Sequence, residues 1–325
     1  MRIHDHDGMV TGVGISIRSE HGADAEAIIR DADTAMYDAG ASGRDGYGFF
    51  KVGMNSRMAV QRSPGTNAAI APDTAGLGLC YQPQINLASG RIVGVEALLS
   101  RADRKRGVMT ADECLPVAGR ENLSLAVGRW IVSEACRQNL AWEASGLPPL
   151  PISINVSAAQ FKDSAFVDCV RDVVHTSGVE PGRIVLQVSE TLLVQDADGA
   201  GAILTELRDT GVQIAIDQFG TGNLGLLHLK RFPAQVLKID RSCVRGLDTA
   251  ADAAVTVSMA LALGKCLGQR VIACGVETAA QVRFLQSRAC DAAQGRYMHH
   301  PLGPEDLALL VATKRLPAFH ANAVV

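Results

Sequence analysis

Aromatic side chains are scarce in this chain, 4% of 325 residues, so a core drawn from its 47% apolar content is mainly aliphatic. Long apolar runs are missing too. The greasiest stretch, VTVSMALALG at 255–264, falls well short of the roughly 20 residues that a membrane-spanning helix needs. The start, MRIHDHDGM, is polar and lacks the apolar centre of a signal peptide. Neither sign of charge dominates. A net charge of −3 leaves no basic field to hold a nucleic-acid polymer or an anionic membrane. The strongest basic cluster, RADRKR at 101–106, reads as a solvated loop. Eight cysteines occur without a CxxC or any metal-ligand spacing. Cys114, Cys136, Cys169 and Cys290 sit in apolar contexts, which points to reduced, buried thiols and a cytoplasmic chain.

What is present is a regular alternation of elements. A break rich in Gly, Pro, Ser, Thr, Asn and Ala at 53–76 reads as a linker. Ahead of it, residues 1–52 hold a strand candidate VGISI at 13–17, a helical stretch AEAIIRDADTAMYDAG, and a second strand through YGFF. Two strands and one helix bury too little to be stable alone. Beyond the linker, LGLCYQPQINL and RIVGVEALL flank the turn ASG as a β-hairpin. Helical patterns at 111–119 and 123–145 follow. Strands PISINVS, RIVLQVSE, VQIAIDQ, QVLKID, RVIACGVE and AAQGRYM then alternate with helices at 158–176, 197–210, 223–231, 250–268, 278–288 and 303–314. Apolar strands separated by helices form a mostly parallel, helix-covered sheet. Eight strands in about 240 residues predict a TIM-like (β/α)8 barrel over 77–316. Its first strand is antiparallel, because a short turn cannot join parallel neighbours. The small α/β fragment precedes it, and a tail of 317–325 follows.

Polar residues collect at strand C-terminal ends: Glu96, Asn155, Glu190, Asp217, Lys238 with Asp240, Glu277 and Gln294. In a barrel these ends converge on one mouth, where sites are built. Ser157 and Thr278 read instead as helix caps. Glu96, Asn155 and Asp217 are hard oxygen donors of the kind Mg²⁺ or Mn²⁺ takes. Lys238 beside them suits a phosphate or a water to be positioned. The set points to metal-assisted phosphoester chemistry.

The motifs YQPQINLASGRIVGVEALL, ISINVSAAQF, DQFGTG, LKIDRS, ACGVET and DAAQG resemble, in order and spacing, those of the EAL-domain family of cyclic-di-GMP phosphodiesterases. The resemblance covers about residues 78–314 and includes the Glu-Ala-Leu signature at 96–98. ADTAMYDAGASGRDGYGFF resembles the last part of a GGDEF diguanylate cyclase domain, whose substrate half and GGDEF motif this chain does not contain. The resemblance implies two divalent metals that activate a water to open cyclic-di-GMP to pGpG. It places Glu96 and Asn155 as first-metal ligands, Asp217 as the bridging carboxylate and Lys238 near the nucleophilic water. Gln82 matches a ligand contact, and Glu190 and Glu277 match supporting acids. Leu98, Gln294 and Pro301 complete the rim that receives the dinucleotide.

Several positions depart from the family pattern. Gln187 stands for a metal-binding glutamate, Gln218 for the second aspartate of an Asp-Asp pair, and Cys274 for a second-metal glutamate. Ser100 replaces a phosphate-contacting arginine. Arg101 cannot substitute for it on a continuing strand, where neighbours face opposite ways. Ala159 stands where relatives often carry arginine, Gly40 where they carry lysine, and Asn223, Leu224 and Gly225 where they carry Tyr-Ser-Ser. Five metal-binding carboxylates are thereby reduced to two, Glu96 and Asp217. An amide brings no charge to a dication, and a thiol is too soft for Mg²⁺. The expectation is a non-catalytic module with no firmly bound cofactor and at most weak Mg²⁺ or Mn²⁺. Its partners would be cyclic-di-GMP or a protein, with a homodimer as a further expectation. The alternatives are a slow phosphodiesterase and a truncated gene product.

Overall fold

In the computed structural model, residues 12–15, 46–49, 77–103, 107–109, 121–222, 224, 226–248 and 251–313 are described. The chain divides into two compact units, Met1–Ile70 and Ala71–Val325. In the first, Gly12–Ile15 pairs in parallel with Gly46–Phe49, Gly12 opposite Gly46. The helix expected between them lies outside the described residues.

The second unit begins with two antiparallel strands, β1 (Leu77–Asn86) and β2 (Ile92–Asp103). Gly90, at φ +68°, closes the turn between them, and Asn86 accepts from the Ser89 backbone inside it. Six parallel strands follow β2: β3 (Ile152–Asn155), β4 (Ile184–Ser189), β5 (Gln213–Phe219), β6 (Val236–Ile239), β7 (Arg270–Cys274) and β8 (Ala292–Gln294). Each pairs with the next in chain order, and β1 closes the ring by pairing antiparallel with both β8 and β2. The expected barrel with an antiparallel first strand is what the chain forms.

Helices α1 (Glu121–Ala144), α2 (Ala158–Phe161), α3 (Phe166–Ser177), α4 (Glu190–Gln195) and α5 (Ala197–Asp209) surround its first half. Helices α6 (Leu226–Arg231), α7 (Arg241–Arg245), α8 (Ala251–Cys266), α9 (Ala279–Ser287) and α10 (Pro304–Thr313) surround the second. No helix among the described residues is long and apolar enough to cross a membrane.

Three expectations need correction. The helix expected over 158–176 is split into α2 and α3. Asp163 accepts from the Ala165 backbone at 2.9 Å, a local turn that competes with the helical ladder. The strand expected through AAQGRYM stops at Gln294. A Cβ on Gly295 would lie 2.2 Å from the Val276 carbonyl oxygen, so the backbone of the preceding loop crosses there, and Met298 and His299 turn back to donate to Gly295. Arg101–Asp103, expected in a solvated loop, extend β2 and pair with a short strand at Gly107–Met109. The helical pattern at 111–119 and the loop positions Asn223 and Gly225 lie outside the described residues.

Strand side chains alternate between two environments. Outward-facing Leu186, Ile214, Ile216, Leu237 and Ile239 pack against helical Leu204, Leu207, Val244, Val257 and Leu285 in the main core. Burying each such side chain is worth about 1.5–3 kcal/mol. Inward-facing Val185, Ala215, Val236, Ile272 and Ala292 form a separate apolar plug inside the barrel. That plug is the floor of the site.

Candidate functional site

Two residues along each strand from the plug, on the same face, stand Gln187, Asp217, Lys238, Cys274 and Gln294. Glu96 and Gln82, opposite one another across the β1–β2 pair, meet this layer, and Asn155 is paired with Gln187 across β3 and β4. The strand period itself thus raises a polar layer on an apolar floor, at the end of the barrel where strands feed into helices.

Glu96 is buried at its centre. Its Oε2 accepts from Lys238 Nζ at 2.9 Å and from Gln294 Nε2 at 2.6 Å, and its Oε1 accepts from Asn155 Nδ2 at 2.8 Å. Burial pushes the carboxyl up, but the Lys238 charge and these hydrogen bonds outweigh it and hold Glu96 below its ordinary value. Lys238, 1% exposed, also donates to Gln187 Oε1 at 2.7 Å and lies 3.7 Å from Asp217 Oδ1. Burial disfavours its charge, yet Asp217 and Glu96 reverse that and raise its pKa. Asp217 itself is raised, by burial first and by the Glu96 charge, with Lys238 opposing. Burial likewise pushes the Cys274 thiol up, so it is protonated at neutral pH.

These partners fix the amides. An ionised carboxylate only accepts and an ammonium only donates, so Asn155 and Gln294 turn nitrogen to Glu96 while Gln187 turns oxygen to Lys238. Gln187 Nε2 is left buried without a partner. Gln294 Nε2 also donates to Gln82 Oε1 at 2.9 Å, and Gln82 Nε2 donates to the His299 carbonyl at 3.0 Å.

Glu190, 1% exposed, lies behind β5. Its carboxylate accepts from the backbone of Gly220 at 2.8 Å, Gly222 at 3.3 Å and Leu224 at 2.9 Å. Gln218 opens that loop, exposed, at φ +57°, a left-handed conformation that a non-glycine residue adopts at a cost. Glu277 stays outside the network. It is exposed and lies 3.9 Å from Arg245. Leu98 is half-buried, Pro301 and Ala159 are exposed, and Ser100 is buried beside Gly78. The paired backbone of β2 continues through Ser100 and Arg101, as the strand argument about Arg101 required. Ser157 and Thr278 close capping boxes with Gln160 and Gln281, and Asp240 caps α7.

Sequence reasoning missed Gln84 and Ser153. Gln84 Nε2 lies 3.3 Å from Gln294 Oε1 and 3.4 Å from Ser153 Oγ. The signal was available: Gln84 is two residues from Gln82 on the same strand, hence on the same face.

Fold and site together define a β/α barrel with an acid, amide and lysine site at the C-terminal ends of its parallel strands. The chain belongs to the EAL domain family, whose sequence model matches residues 67–301. It is 38% identical over 300 residues to the bifunctional diguanylate cyclase/cyclic di-GMP phosphodiesterase MucR of Pseudomonas aeruginosa, covering 92% of this chain and 44% of that protein. It is 31% identical to the cyclic di-GMP phosphodiesterase PdeR of Escherichia coli, over 89% of this chain and 44% of that one. The chain therefore spans less than half the length of these curated relatives. Among solved structures, a PaMucR phosphodiesterase in complex with c-di-GMP superposes with a TM-score of 0.69 at 40% identity, over 73% of this chain and 96% of that one. The P. aeruginosa FimX EAL domain bound to c-di-GMP shares the fold at 23% identity and a TM-score of 0.63, over 71% and 93% of the two chains.

Proposed function

We propose that the barrel is a degenerate EAL module of cyclic-di-GMP signalling, one that receives cyclic-di-GMP or a protein partner at its mouth and does not hydrolyse the nucleotide. The observation that carries this reading is the place of Lys238 among Glu96, Gln187 and Asp217. The two surviving carboxylates face the protein's own cation. The one oxygen Gln187 offers is taken by Lys238, and what remains of that amide is a buried N–H, which cannot ligate a metal. Cys274 is a protonated, soft thiol. Among the described residues no three His, Cys, Asp or Glu side chains form a group able to hold a metal ion. This donor set does not fit a pair of divalent cations, and any Mg²⁺ or Mn²⁺ is held weakly. The names of MucR and PdeR support the nucleotide, and the alignment to MucR, longer than the 67–301 match, supports a GGDEF remnant ahead of the linker. The seven cysteines among the described residues form no disulfide with one another, which suits a reducing, cytoplasmic setting.

A second reading, a slow phosphodiesterase, is favoured by the survival of Glu96, Asn155, Asp217 and Lys238 at one mouth. Calorimetry with and without metal, together with an assay for pGpG, separates the two. The expected result is binding that is indifferent to Mg²⁺ or Mn²⁺ and no product above background. Turnover on the order of 1 s⁻¹, or a tenfold tightening by Mn²⁺, about 1.4 kcal/mol, overturns the proposal.

A further inference from the structure

We propose that Gln84 is a positioning residue that holds the amide chain Gln294–Gln82 in the direction the Glu96 carboxylate gives it, and thereby fixes the face Gln82 turns to a ligand. The inference rests on the mouth being a nucleotide site.

Gln84 is 2% exposed on β1 and reaches into the barrel one strand period below Gln82. Its seat depends on the neighbouring strand. A Cβ on Gly94 would come 2.9 Å from Gln84 Oε1 and 3.3 Å from the Pro151 carbonyl oxygen, so a larger residue there would press on the Gln84 amide. From that seat Gln84 Nε2 donates to Gln294 Oε1 at 3.3 Å, with Ser153 Oγ 3.4 Å away.

Gln294 has two ways to sit. With its nitrogen toward Glu96 it donates at 2.6 Å to the carboxylate and at 2.9 Å to Gln82 Oε1. With its oxygen there it would face a carboxylate acceptor with an acceptor. The Glu96 charge favours the first arrangement, and Gln84 completes it by supplying a donor to the oxygen that the first arrangement sends downward. Once Gln294 is set, Gln82 must present oxygen to Gln294 and nitrogen to the His299 carbonyl. The direction therefore runs from Glu96 through Gln294 and Gln82 to the His299 carbonyl, with Gln84 donating to Gln294 from below. Gln294 and Gln82 are amides, which can reverse; the Glu96 carboxylate and the His299 carbonyl, which only accept, and the Gln84 donor below hold them in one sense.

Two variants test this. Gln84→Met keeps the length and removes the donor. Gln84→Glu donates only while its introduced carboxyl is protonated, and a buried carboxyl holds its proton to higher pH than an exposed one. Cyclic-di-GMP affinity is measured by calorimetry at pH 5.5 and 8.5, each variant relative to wild type at the same pH. The side-chain amide ¹H–¹⁵N resonances of Gln82 and Gln294 are recorded alongside. Gln84→Met is expected to bind about tenfold more weakly at both pH values and to shift both amide resonances. Gln84→Glu is expected to bind close to wild type at pH 5.5 and to lose about tenfold at pH 8.5. A residue that served only packing would lower thermal stability while leaving the resonances and the pH profile as they are, and that result overturns the inference. If Gln84→Met does not fold, the two pH values of Gln84→Glu make the same comparison within one protein. Wild-type protein that binds no cyclic-di-GMP overturns the nucleotide reading instead. The resonances then decide alone, and unmoved Gln82 and Gln294 amides in Gln84→Met or, between the two pH values, in Gln84→Glu overturn the inference.

Discussion

Lys238 holds one positive charge among Glu96, Asp217 and the Gln187 carbonyl, out of reach of water. Removing it strands Glu96. Lys238→Met is expected to cost about 3–5 kcal/mol, the penalty for a buried charge left unpaired, read from urea midpoints. Changing both partners to apolar residues should recover most of that loss. The two acids also pull stability in opposite directions as pH changes. Glu96 is held below its unfolded value, so its contribution is complete above roughly pH 4.3 and is lost as pH falls through its lower folded value. Asp217 is raised by burial, so it favours the folded state when protonated and that benefit goes as pH rises through its folded value. In Glu96→Gln the fall in stability with acid should therefore flatten. An unchanged acid slope in urea titrations would show that Glu96 is not the group responsible. At this scale the sequence was readable where the strand period alone chooses the face, as for Gln187, Asp217, Lys238, Cys274 and Gln294. The direction of each amide was not readable, because it depends on a partner from another strand. Nor was the exposed position of Glu277, since β7 ends at Cys274 and the loop after it sets that carboxylate.

The segment after β5 shows how one element can hold another in a conformation its own residues disfavour. Gln218 takes a left-handed backbone conformation at the strand end, and from two residues later the loop is fastened by three backbone N–H donors to Glu190. Gln218→Gly is expected to stabilise the fold by about 0.5–1 kcal/mol, the relief of left-handed strain less the entropy glycine adds to the unfolded chain. A lower thermal midpoint in that variant would mean that the Gln218 side chain contributes something the backbone argument omits. Glu190→Gln puts an NH₂ group where one oxygen accepted, leaving at least one backbone donor facing a donor. Its amides at 220, 222 and 224 should exchange with solvent markedly faster than in wild type, while those of β5 at 214–216 keep their protection. Element boundaries were legible where capping residues mark them, as at Ser157 and Thr278. They were not legible at Gln294, where the strand is stopped by the backbone of Val276 crossing over Gly295, a contact between segments far from each other in local pattern.

The whole barrel closes through one pairing, Ile85 with Ala293 and Asn86 with Ala292, between its first strand and its last. All eight barrel strands and both apolar clusters lie in the unit that begins at Ala71. A fragment of residues 71–325 is accordingly expected to fold alone, with a melting temperature within a few degrees of the full chain and the same affinity for cyclic-di-GMP. A fragment that aggregates or binds measurably more weakly would show that residues 1–70 contribute to the barrel. The alternation of strand and helix announced this architecture, and the short ASG turn announced the reversed first strand. That reversal has a consequence for synthesis on the ribosome. The hairpin ending at Asp103 is complete before the rest of the barrel, yet the outer edge of β1 has no strand to pair with until Ala292 is made about 190 residues later, roughly 10–40 s at 5–20 residues per second. For that interval a nascent chain carries an open β edge, a template for pairing with its neighbours on the same messenger.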